Sequence, residues 1–187
     1  MKIVFIGGSR KMGRLDDAVR TRTQNVIDKG LAVVIGDANG ADKAVQVYLA
    51  EQEYGHVVVY CTGPECRNNV GGWQTRHVQS DQKKKDFHFY TAKDVVMSEE
   101  ADCGLMLWEG KSIGTLNNIL NLVDRGKHVV VYFGPEREFI TVRSLRDVES
   151  LLGKCTPESI KRFEKRLDLA KRFWGVQCEL DFVTGTS

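Results

Sequence analysis

Apolar residues recur along this chain in two alternating rhythms. Short unbroken runs rich in Val and Ile occupy residues 2–6, 31–35, 56–60, 104–108 and 128–133. Their length and β-branched content are those of strands buried on both faces. Between them lie stretches of helical length at 16–29, 40–54, 80–100 and 115–125. In the second stretch Ala44, Val47, Tyr48 and Ala50 form an apolar stripe, and Gly30 and Gly126 stand where helices stop before the next strand. Strands alternating with helices imply βαβ units joined by right-handed crossovers. The pattern therefore predicts a three-layer α/β fold with a doubly wound, mostly parallel sheet. In such sheets ligands bind beyond the carboxyl ends of the strands, near the point where strand order reverses.

The remaining segments are less regular. Residues 61–76 hold Gly63-Pro64, Asn68-Asn69 and Gly71-Gly72 and read as one long loop, a possible lid. A sixth strand is expected at 139–142 and a helix at 145–152. A charged helix then opens at Thr156-Pro157, with Thr156 as cap, and runs to about residue 173. The 187 residues thus read as a single domain, with a core over 1–134 and a strand and helix extension over 135–187.

Composition narrows the partners. Hydrophobic residues at 42% and charged residues at 28% suit a folded globular chain, and a net charge of +2 gives no general pull toward nucleic acid or membrane. The apolar start is too short for a signal peptide and no run is long enough to span a bilayer, so the expectation is a cytoplasmic protein. Five scattered cysteines, Cys61, Cys66, Cys103, Cys155 and Cys178, then read as reduced thiols. Cys61, Cys66, His77 and His88 match no compact zinc spacing, so neither a metal nor a cofactor is expected.

Three glycine-bearing loops follow predicted strands. Gly7-Gly8-Ser9-Arg10-Lys11 combines close backbone approach, a hydroxyl and two cations suited to phosphate. Gly36-Asp37-Ala38-Asn39-Gly40-Ala41-Asp42 allows a helix to start at once, with Asp42 in its first turn as a cap and Asp37 and Asn39 able to reach ribose or base groups. Gly110-Lys111-Ser112-Ile113-Gly114-Thr115 places a cap, a hydroxyl and amides at another helix start. The dinucleotide Gly-x-Gly-x-x-Gly and the Walker lysine motif are both absent.

The pairing of Gly8-Ser9-Arg10 with Gly36-Asp37-Ala38-Asn39-Gly40-Ala41-Asp42 resembles the SLOG superfamily, in its branch with a "GSR … GGAxGAD" signature. Lys93-Asp94-Val95-Val96-Met97, Ala101-Asp102 and Ser112-Ile113-Gly114-Thr115 look like that family's continuation, so the similarity covers roughly residues 1–134. The resemblance implies a Rossmann-like fold that binds nucleotides or molecules derived from them, commonly as a dimer or larger homo-oligomer. Its relatives include the cytokinin-activating LOG phosphoribohydrolases and the nucleoside deoxyribosyltransferases, which cleave N-glycosidic bonds. It also implies a catalytic glutamate three residues after the Thr of the Gly-Thr pair, and here that position is Asn118. An amide cannot act as a carboxylate nucleophile or stabilise an oxocarbenium-like centre by charge, although it can hydrogen-bond a sugar.

These residues support a leading expectation and two alternatives. The first is binding or sensing of a nucleotide-derived ligand similar to AMP, ADP-ribose or NAD. Arg10, Lys11, Ser112 and Thr115 would hold phosphate with the amides of Gly8, Gly40 and Gly114, while Asp37, Asn39 and Asn118 face ribose. An N-glycosidase would instead need a displaced carboxylate, with Glu109 and Asp37 as candidates. The third reading is an oligomeric interaction protein with a vestigial pocket. Trp73 and Tyr60 are candidates to stack on a base, Trp108 reads as core, and the basic stretch 161–172 reads as an exposed helix face or subunit contact.

Overall fold

A computed structural model describes residues 1–79 and 87–173 of the chain. Its centre is a seven-stranded sheet built from β1 (Ile3–Gly8), β2 (Ala32–Gly36), β3 (Val57–Thr62), β4 (Gln74–Val78), β5 (Cys103–Trp108), β6 (His128–Phe133) and β7 (Glu138–Val142). The spatial order is β4-β3-β2-β1-β5-β6-β7. All neighbours are parallel except β6 and β7, which run antiparallel, with Val131 opposite Ile140. The chain moves outward from β1 to β4 and then returns to the other side of β1 with β5. Strand order therefore reverses between β1 and β5.

Helices cover both faces. Along β1, Val4 and Ile6 point to one side and pack with Val19 of α1 (Asp17–Asp28) and Val45 and Leu49 of α2 (Ala41–Glu51). Phe5 points to the other side and joins Met97 of α3 (Phe87–Glu100) and Leu116 and Leu120 of α4 (Ile113–Val123). Two apolar layers on either face of one sheet make this the three-layer, Rossmann-like α/β fold that the alternation of runs predicts. Among the described residues no helix is long and apolar enough to cross a membrane.

The extension packs on the same second face. β7 closes the sheet edge, and α5 (Leu145–Leu152) starts with a capping box between Ser144 and Asp147. α6 (Pro157–Leu167) carries Phe163, which is fully buried with its ring centroid 5.8 Å from that of Trp108. The expected single helix to residue 173 is interrupted: Asp168 adopts a left-handed conformation, φ 50°, and residues 169–173 form a separate turn of helix. The start of the helix expected at 80–100 lies outside the described residues, as do residues 174–187 with Cys178.

Two expectations for 61–76 are corrected. The segment contains an edge strand, β4, paired in parallel with β3. Its middle is also tied down. Val70 N donates to Gln46 Oε1 (3.0 Å), Trp73 N to Asn69 Oδ1 (3.0 Å), and the Trp73 indole N–H to the Tyr54 carbonyl (2.8 Å). Cys61 and Cys66 are not free thiols but form a disulfide, their Cα atoms 5.2 Å apart. The turn after β3 brings them together, a proximity that a sequence separation of five does not announce.

Candidate functional site

A cavity of about 580 Å³ opens at the carboxyl ends of β1 and β5, the place a doubly wound sheet leaves for a ligand. Gly7 and Gly8 from β1, Ala38 and Asp42 after β2, and residues 109, 111–115 and 118 after β5 line it. Of the residues singled out from the sequence, Gly8, Arg10, Lys11, Asp42, Glu109, Ser112, Gly114, Thr115 and Asn118 meet there. Ser9, Gly36, Asp37, Asn39 and Gly40 do not line it.

The third loop is open toward the cavity. Ser112 caps α4, its hydroxyl accepting from Thr115 N (3.3 Å) and from the Thr115 hydroxyl (3.0 Å). Trp108 fixes this start from beneath, its indole N–H donating to Ser112 O (3.0 Å). Ile113 and Gly114 occupy the first turn, where helix geometry provides no acceptor for their N–H groups. A side chain at Gly114 would meet nothing within 4 Å. Amides at a helix start, beside empty space, form an anion cradle.

The first loop is used differently. Gly8 N donates to Asp42 Oδ1 (3.2 Å) and Ser9 N to the Leu107 carbonyl (2.8 Å), so these amides are engaged by the protein and form no nest. Gly8 is needed for packing: a Cβ there would lie 2.8 Å from Leu107 Cβ and 2.9 Å from Ala41 Cβ. Ser9, fully buried, shares a hydrogen bond with the Thr115 hydroxyl (3.3 Å) and so ties the first loop to the third. Besides Gly7 and Gly8, the loop contributes to the cavity the exposed pair Arg10 and Lys11.

The second loop is closed by the protein's own groups. Both oxygens of Asp37 are held by Arg67, through Nε (2.9 Å), Nη2 (2.6 Å) and the backbone N–H (3.1 Å). Burial opposes the Asp37 charge, but these donors and nearby Lys93 outweigh it and hold the carboxyl below its ordinary range. Asn39 is exposed and accepts from Asn68 Nδ2 (3.0 Å). Gly40, φ 86°, lies against the backbone of Arg10 so closely that any Cβ would overlap it. Asp42 receives Gly8 N and Ala38 N (3.2 Å each). Burial, reinforced by Asp94 and Asp37 and opposed by Lys93, pushes its carboxyl up to about 6.

Several cavity residues carried no recognised signal as site residues in the sequence. Lys93, only 4% exposed, extends its ammonium to Asp94 Oδ1 (2.8 Å) and lies 4.0 Å from Asp37 Oδ1. Burial works against its charge, yet Asp94, Asp42 and Asp37 together raise it above the ordinary lysine range. Asn118 satisfies its neighbours with its amide nitrogen toward them, donating to Gly114 O (3.1 Å) and Asp94 Oδ2 (3.2 Å). Tyr90 lies between cations, with the Arg10 and Arg67 guanidinium carbons 5.7 and 5.1 Å from its ring centroid. Arg162 reaches the cavity from α6, so part of the basic stretch 161–172 belongs to the wall. A repeating basic pattern on a helix could only have flagged it once the docking of Phe163 was known.

The aromatic candidates also shift. Trp73 packs against the apolar cluster on the α1 and α2 face and Tyr60 bonds Glu100 on α3, and neither lines the cavity; Tyr90 does. Glu109 lines it with Oε2 buried and without a hydrogen-bond partner among the described residues. Burial raises its carboxyl against the pull of Lys11 and Lys111. Among the described residues no group of three His, Cys, Asp or Glu side chains is arranged to hold a metal ion. Comparison of the chain with protein-family models and with curated proteins returns no match.

Proposed function

We propose that this protein binds or senses a phosphate-bearing, nucleotide-derived ligand of the AMP, ADP-ribose or NAD kind. The observation that carries this reading is the cationic rim of the cavity. Arg10, Lys11, Lys111 and Arg162 line the same cavity as the first turn of α4. The other two cations of the wall are already matched, Arg67 by Asp37 and Lys93 by Asp94. Cations with no ion pair within 4 Å among the described residues, in the same cavity as helix amides, suit an anion carrying more than one charge. The resemblance to the SLOG superfamily points the same way, and a homo-oligomer in the cytoplasm belongs to the same proposal.

A second reading, cleavage of an N-glycosidic bond, is favoured by Glu109. A carboxyl raised by burial, on a residue that lines the cavity and with one oxygen lacking a partner among the described residues, is suited to give a proton to a leaving base. Asp37 is poorly suited to that work, because Arg67 occupies both of its oxygens.

Incubating the pure protein with AMP, ADP-ribose and NAD, and scoring retained ligand and released base by mass spectrometry, separates the readings. Intact retained nucleotide is the expected result. Released base that disappears in Glu109→Gln would make the protein an N-glycosidase. Neither retention nor release would leave the vestigial pocket as the better account.

A further inference from the structure

Among the described residues a single disulfide stands beside a clamp that reaches the cavity wall. Cys61 lies near the end of β3 and is fully buried, while its partner Cys66 is partly exposed. The next residue is Arg67, which donates to Asp37 through its guanidinium and also through its backbone N–H (3.1 Å). That backbone bond requires the main chain to pass at one place, and Cys66 anchors it from upstream. The loop between the cysteines is otherwise tied by His77, whose Nδ1 lies 2.9 Å from the Gly63 carbonyl. Downstream, Asn68 Nδ2 donates to Asp37 O (2.8 Å) and Val70 N to Gln46 Oε1 (3.0 Å). Arg67 thus sits between the cross-link and these ties, and it lines the cavity with its guanidinium over the Tyr90 ring.

We propose that the Cys61–Cys66 disulfide is a redox latch on Arg67, opened by thiol–disulfide exchange with a dithiol. Disulfides in reducing compartments are transient and serve redox chemistry, and the cytoplasm proposed above is such a compartment. Attack falls on the partly exposed residue, Cys66. A thiolate of the dithiol bonds to Cys66 Sγ, the Cys61–Cys66 bond breaks, and its electron pair leaves on Cys61 Sγ, which takes up a proton. The second thiol of the dithiol then attacks its own sulfur in the mixed disulfide and releases Cys66 as a thiol. The protein gains two electrons and two protons, and the dithiol becomes a disulfide. With the link gone, residues 62–66 recover the freedom that the closed loop withheld, and the Arg67 backbone loses its fixed approach to Asp37. Redox state is thereby coupled to the position of one cation of the cavity wall, whatever ligand the cavity holds.

The test uses the full chain without ligand. Thiol titration in denaturant should count two more thiols after treatment with dithiothreitol and its removal than before. Amide hydrogen exchange followed by NMR should be about tenfold or more faster at Arg67 in the reduced protein, with the amides of β1 unchanged. Cys66→Ser should show the fast Arg67 exchange with and without dithiothreitol, and Cys61→Ala should match it. An unchanged thiol count, or Arg67 exchange that does not respond to dithiothreitol, would overturn the latch. A response that persists in Cys66→Ser would do the same, by assigning it to another thiol. Exchange that quickens equally in β1 would also overturn it, because general destabilisation would then be the cause. Each of these outcomes leaves the nucleotide-binding reading untouched, since no ligand takes part.

Discussion

The loops after β2 and β5 look alike as sequence and behave as opposites. Each follows a buried strand, carries two glycines and leads into a helix. After β5 a side chain at Gly114 would meet open space, and a cap side chain props the helix start from the side. After β2 the protein fills its own loop: Arg67 takes Asp37, Asn68 takes the Asp37 carbonyl (2.8 Å), and the Arg10 backbone presses on Gly40. A glycine-rich loop therefore has two uses, admitting a ligand or admitting another piece of chain. What separates them is whether a neighbouring segment arrives to occupy the space.

Substitutions sharpen this contrast, beginning with the largest effect. Gly40→Val should destabilise the fold by about 3–5 kcal/mol, combining a backbone conformation closed to side chains with overlap on Arg10. Urea unfolding would show it, and a stability near wild type would mean the second loop is looser than described. Asp37→Ala should cost about 2–3 kcal/mol, because it removes the acceptor of Arg67 and one of the acids around Lys93. The Arg67 side chain is about a third exposed, at 36%, so water recovers part of what is lost.

Acid tests the buried cluster behind these loops. Asp42 holds its proton more tightly when folded, near 6 against an ordinary 3.8. Its contribution is therefore complete below about pH 4 and lost as pH rises through about 6, on the order of 3 kcal/mol in all. Asp37 runs the other way: lowered in the fold, it contributes above its ordinary value and loses that only in stronger acid. Glu109, also raised by burial, acts in the same direction over the interval from about pH 4 to 6.5, so comparison with a variant is what assigns the Asp42 share. Chemical denaturation across that interval should show falling stability in the wild type and a flatter profile in Asp42→Asn.

The smallest structural effect is expected at the open loop. Gly114→Ala should change stability by less than about 1 kcal/mol, and in the favourable direction, since alanine is the better helix former and its methyl group meets nothing. If the proposed function holds, the same methyl group occupies space where phosphate docks, so retention of nucleotide should weaken. A variant with unaltered stability and unaltered ligand retention would count against the α4 start as the phosphate site.

Much of this architecture was legible before any coordinates. The Val- and Ile-rich runs mark β1, β2, β3, β5 and β6 because strands covered on both faces must be apolar at every position. β4 was not legible for the same reason reversed. Gln74-Thr75-Arg76-His77 lies at the exposed edge of the sheet, where no apolar pattern is required. Loops at strand ends announced the rim, and Arg10, Lys11, Ser112, Gly114, Thr115 and Asn118 do converge on one cavity. Lys93 and Asp94 were visible in a quoted motif, yet nothing in a helical stretch says which lysine will be driven inside.

The sequence by itself determined the layers, the parallel sheet and the end of that sheet where chemistry can occur. These follow from periodicity and from glycine and capping residues, which act over a few neighbouring positions. Only the tertiary structure decided which polar groups remain available. Arg67 lies thirty residues from Asp37 and removes it from the cavity, Arg162 enters from a helix beyond the last strand, and Cys66 joins Cys61. Pairing of charges and filling of space are set by atoms a few ångströms apart, whatever their distance along the chain. Local pattern can therefore point to a pocket's position, while its contents depend on what the fold brings beside it.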